Sequence, residues 1–181
     1  MKSKTSADNW SLTSRLLHWL MAGLILVQAG LGWYAGSLSR SPLRIDMMTA
    51  HKSLGITLLM LLILRLAWRV THPAPPPPPG TSKWAVRAAA WTHRGLYVLM
   101  LAIPMSGWLS ASASIFPWKF WWLFTWPRIT APDQALHDVA SGIHEVLIWT
   151  LAVLLVLHIA AALKHHLVDR DQVLRRMWKG K

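Results

Sequence analysis

An all-α integral membrane four-helix bundle is the fold this sequence predicts, on three observations. Only 14% of the 181 residues are charged and 54% are hydrophobic, whereas a soluble domain has roughly one-quarter charged residues. Four apolar runs each reach the ~20 residues needed to cross a hydrocarbon core. Each run also admits a histidine near one of its ends, where a polar group costs less than at the bilayer centre. The length suits one domain, taken here as residues 1–181.

The first span, about residues 12–36, holds LLHWLMAGLILVQAGLGWYAG. It is too long for a cleaved signal and three further spans follow it. The second, about residues 47–69, begins MMTAHKSLGITLL and ends at Arg65 and Arg69. The third and fourth run from about 88–112 and 136–163, and a short basic tail, 164–181, follows. Spans two and three are joined through HPAPPPPPG, a polyproline stretch that cannot be helical. Spans three and four are joined through FPWKFWWLFTWPRITAP. Its tryptophans prefer the headgroup zone, so this loop is expected along the membrane interface or as a packed cap over the bundle.

Cysteine is absent. That excludes disulfides, thiolate iron–sulfur centres and covalently attached c-type haem. The net charge of +12 flanks the apolar runs instead of forming one continuous strip, so nucleic acid is not an expected partner. Fourteen of the lysines and arginines fall in the N-terminus, the proline-rich connection with its flanks, and the tail. Five lie on the other side: Arg40, Arg44, Lys52, Lys119 and Arg128. The positive-inside rule therefore places both termini in the cytoplasm.

With that topology, His18 and His158 lie at the inner level, and His51 and His144 at the outer level. His144 and His158 are 14 residues apart on one span. That is a rise of about 21 Å, with both rings within about 40° of one helix face. Paired neutral imidazoles across a bundle suit bis-histidine ligation of haem iron. His93 competes for the inner site. Gly55, four residues after His51, and Gly142, two before His144, leave room for a flat ring. Gly30 and Gly32 are expected at close helix contacts, and Met47, Met48 and Met105 in packing. His72, His165 and His166 are expected at wet or headgroup positions, and His137 near the surface. Glu145 suits a helix start.

RLLHWLMAGLIL, AHKSLGITLLMLLILRLAWR, IPMSGWL and GIHEVLIWTLAVLLVLHIAAALKHHLVDRDQVLRRM together resemble the bacterial cytochrome b-561 family, small dihaem proteins of the inner membrane. The resemblance runs from about Trp10 to Met177. It implies a single transmembrane cytochrome b domain binding two haem b groups, one between His18 and His158 and one between His51 and His144. It also implies electron exchange with ubiquinone, with superoxide as a donor by similarity to a member of the family. Arg40, Arg44, Lys52 and Arg128 would then guide that anion on the outer side, with lipid headgroups as their plainer partners. Lys52, Gly55 and His93 are further candidates at the cofactor. Quinone reduction consumes protons, for which His93 and Glu145 are candidate relays. Competing expectations are a haem-bearing anchor for a dehydrogenase or hydrogenase partner subunit, and a histidine-lined metal transporter. The spans lack mid-membrane carboxylates, which weighs against the transporter.

Overall fold

A computed structural model describes residues 9–78 and 80–179. Four long helices dominate it: α1 (Leu12–Ser37), α2 (Pro42–Thr71), α3 (Lys83–Ala113) and α4 (Gln134–Leu167). All four are long and apolar enough to cross a membrane. Each contains its expected span and runs past it, because helix starts follow caps and not hydropathy. Ser11, Ser41, Ser82 and Asp133 accept hydrogen bonds from the amides of Ser14, Arg44, Ala85 and Leu136. Each such cap contributes about 1 kcal/mol to the helix it opens. Pro42 follows Ser41 in the first turn of α2, where a missing amide hydrogen costs nothing.

The helices form two hairpins, α1 on α2 and α3 on α4, joined through α2 against α3. Neither α1 nor α2 packs closely on α4. Ala140 is the only residue α4 buries among those described, although α4 is the most apolar span. Its exposed aliphatic face suits acyl chains.

Two short elements complete the fold, and hydropathy predicted neither. The aromatic loop carries a hairpin of β1 (Lys119–Phe120) and β2 (Phe124–Thr125), with Phe120 opposite Phe124. Trp121 and Trp122 turn it at φ 45° and 60°, a region bulky residues rarely adopt. The hairpin caps one end of the bundle: Trp118 packs with Ile56 and Ala111, flanked by Trp108, Phe120 and Trp126. Buried Ser53 accepts a 2.8 Å hydrogen bond from the Trp121 amide. Trp121 Nε1 donates to Thr57 and Trp122 Nε1 to Asp46. These anchors on α2 hold the turn.

At the opposite end the basic segment is not a plain tail. Its first residues complete α4, and Val173–Trp178 form α5. The segment folds back onto α1, where Arg15 and Trp19 donate to the carbonyls of Trp178 and Met177. Arg176 donates to the Pro76 carbonyl, which ties α5 to the proline-rich connection.

Candidate functional site

His51 on α2 faces His144 on α4. Their ring centres are 6.4 Å apart and the planes stand at 88°. His51 Nδ1 lies 3.2 Å from the Gln28 carbonyl, and His144 Nδ1 lies 2.9 Å from the Ile103 carbonyl. A ring nitrogen beside a carbonyl oxygen carries the proton, which leaves the lone pair on Nε2, as a metal-ligating histidine requires; at His51 the Gln28 side-chain amide stands 3.4 Å from that nitrogen.

The two rings dock in the same way. Four residues beyond each accepting carbonyl stands a glycine: Gly32 after Gln28, Gly107 after Ile103. A β-carbon on Gly32 would lie 2.8 Å from His51 Cε1, and one on Gly107 would lie 3.0 Å from His144 Cε1. The glycines let each imidazole lie against the neighbouring helix and reach its carbonyl. Gly55 and Gly142 do not share this role. The space above Gly55 faces Gln28 Nε2 at 3.2 Å, and Gly142 has nothing within 4 Å. Gln28, which the sequence alone did not single out, also donates to the His51 carbonyl at 3.0 Å. Ser106 Oγ lies 3.0 Å from His144 Nδ1.

At the other end of α4, His158 meets His18 of α1 at 6.3 Å with planes at 72°. His93 of α3 also approaches His158, at 5.4 Å. Two imidazoles on opposite sides of one metal ion have ring centres about 6 Å apart, given metal–nitrogen bonds of about 2.0 Å and the ring radius on each side. The His18–His158 separation is nearly that of His51–His144, and His93 lies closer. Among the described residues no carbonyl orients His18. Arg65 Nη2 stands 3.4 Å from its Nδ1 instead.

The remaining candidates separate clearly. Lys52 Nζ sits 5.9 Å above the Trp118 ring, under the hairpin. Arg44 donates to the Leu38 carbonyl at the end of α1, and Arg128 to the Ile115 carbonyl. Arg40 and Glu145 are exposed. His137 ties helices together, with Nδ1 2.9 Å from the Ser110 carbonyl while Ser110 and Ser141 share a hydrogen bond. His72 stacks on Trp68. His165 is not simply wet: its Nδ1 pairs with Asp171 Oδ2 at 2.6 Å, beside Lys164 and Asp169.

The donor set is thus a pair of opposed imidazoles at one end of α4 and three imidazoles at the other, with no facing carboxylate among the described residues. That chemistry fits a flat iron macrocycle. The family model described as prokaryotic cytochrome b561 matches residues 9–180. Cytochrome b561 homolog 2 of Escherichia coli K12 is 35% identical, covering 98% of this chain and 95% of its own length. Cytochrome b561 homolog 1 of the same strain is 29% identical, covering 94% and 97%. A probable superoxide oxidase, CybB, of Yersinia pestis is 29% identical, covering 91% and 93%. With a match over nearly its whole length, this chain belongs to the prokaryotic cytochrome b561 family, the multi-pass haem b electron-transfer proteins of bacterial membranes.

Proposed function

We propose that the chain holds two haem b groups, one between His51 and His144 and one between His18 and His158, and passes electrons along α4 to ubiquinone. The observation that carries this reading is the repeat of one ring separation, 6.4 Å and 6.3 Å, at the two ends of α4. When bound, each haem iron supplies a one-electron ferric–ferrous couple. The protein supplies the rest. Gln28 and Ile103 hold the Nδ1 protons of the outer pair, so that both rings present Nε2. The aromatic hairpin covers that end and excludes water. The basic distribution supports both termini in the cytoplasm, which makes the His51 end the outer one.

Superoxide is the proposed donor. The name of the Yersinia pestis relative supports it, as does a cationic outer rim of Arg40, Arg44, Lys52 and Arg128. Each superoxide gives up one electron and leaves as dioxygen. Two such electrons and two protons convert one ubiquinone to ubiquinol. Lys52 adjoins His51, carries no hydrogen bond among the described residues and lies part-buried under the hairpin, so it would act on an arriving anion through its field and not as a surface contact.

The test is haem stoichiometry in purified protein, by pyridine haemochrome against protein mass. Two haems per chain are expected, falling to one in His51→Ala and in His18→Ala. A full complement in both variants, or loss of haem in His93→Ala but not in His18→Ala, refutes the assignment. Adding superoxide to the oxidised protein, with ubiquinone absent, is expected to reduce haem, and failure to do so removes the donor.

A further inference from the structure

Arg65 and Arg69 lie in the last two turns of α2, where the second span ends, and neither belongs to any ion pair among the described residues. Arginine within a membrane span is costly and needs an anion or a polar shell. Arg65 has a shell: Nη1 donates to the Ser14 carbonyl at 3.2 Å, Nε to Tyr97 Oη at 3.3 Å, and Nη2 faces His18. Arg69 has less. Its guanidinium lies 4.7 Å from the Trp10 ring centre, and its Nη1 is buried with no hydrogen-bond partner among the described residues. Both arginines line a small cavity with Trp10, Ser14, Trp68 and Tyr97.

A buried guanidinium nitrogen without an acceptor is costly, the more so because it is charged. A fork of donors matched to a planar, two-oxygen anion is what arginine presents best. Among the described residues the shell around this pair is wholly cationic or neutral, so a negative partner would complete it. The anion class closest at hand is the carboxylate: a haem b macrocycle carries two, and Arg65 already touches the proposed ligand His18.

We propose that Arg65 and Arg69 form the binding site for the propionate carboxylates of the haem at His18 and His158. The proposal rests on the ligand assignment above. In this arrangement the arginines neutralise the carboxylates beside the iron. Removing one cation leaves uncompensated negative charge, which favours the ferric form.

Redox potentiometry of the purified holoprotein tests it. Arg69→Gln is made in two backgrounds, His51→Ala and His18→Ala, each expected to retain one haem. Beside His51→Ala, R69Q is expected to shift the ferric–ferrous equilibrium of the remaining haem about tenfold toward ferric, which is about 59 mV for one electron. Beside His18→Ala no shift is expected. Arg69→Lys keeps the charge and is expected to shift the first background less than R69Q does. Should R69Q fail to accumulate, Arg65→Gln carries the same expectation. An unchanged potential in both backgrounds overturns the proposal. So does an unchanged potential with phospholipid lost from the purified variant, which would make the anion a lipid phosphate. Failure of the ligand assignment looks different: His18→Ala alone would then retain both haems.

Discussion

Gly32 and His51 make one closely fitted contact: a β-carbon on the glycine would stand 2.8 Å from the imidazole Cε1. Gly107 and His144 repeat it at 3.0 Å. In both cases the carbonyl that accepts from Nδ1 lies four residues earlier on the glycine's helix. The intruding atom would meet a ring backed by a second helix, so the conflict is not relieved by a flexible side chain.

Gly32→Ala and Gly107→Ala are therefore expected to tilt one ligand ring and weaken haem retention at that end. Cofactor content measured after mild thermal challenge should fall in each. Gly142→Ala is the control. Its open surroundings predict no loss of haem, and exchanging glycine for alanine in a helix stabilises by up to about 1 kcal/mol.

His51→Ala and His144→Ala should remove the same haem, and the double variant should lose no more than either alone. His93→Ala should retain two haems. Visible spectra with quantified haem read all four variants.

Lys52→Gln should slow haem reduction by superoxide at low ionic strength and flatten the salt dependence of that rate. Screening acts over about 8 Å at physiological salt, so the wild-type rate should drop as salt rises and the variant rate should drop less. Arg44→Gln should lower the melting temperature as well, because its guanidinium caps the last turn of α1 through the Leu38 carbonyl. Equal rates for K52Q and wild type at low salt would remove the guidance role.

Ser53→Ala should destabilise the capping hairpin. Ser53 is fully buried and receives the Trp121 amide at 2.8 Å, so its loss strands a donor at a cost of about 1–3 kcal/mol. Faster hydrogen exchange at residues 118–126 than at the middle of α3 would show it. Unchanged exchange there would mean that the aromatic packing alone holds the strained turn.

The apolar runs were legible because burial in hydrocarbon acts residue by residue, and a count along the chain detects it. Histidine depth was legible too, since helical rise converts sequence separation into height. The glycines show where that legibility ended. Gly55 and Gly142 were chosen for lying near a histidine on its own helix, yet the rings dock on glycines of the neighbouring helix. The Gln28–Gly32 and Ile103–Gly107 spacing was present in the sequence, but nothing local linked it to His51 or His144. The hairpin escaped for a similar reason: Trp121 and Trp122 carry no turn signal, and their left-handed backbone is held by Ser53, Thr57 and Asp46 of another element.

By itself the sequence determined four membrane-length helices, the level of each histidine along them, and the charge asymmetry of their connections, because hydropathy, helical rise and charge are properties of the chain in one dimension. Only the tertiary structure decided that α4 stands off from α1 and α2, that glycines of the neighbouring helix seat the His51 and His144 rings, and that Arg65 reaches His18. Those are distances between segments remote along the chain, and side-chain packing sets them.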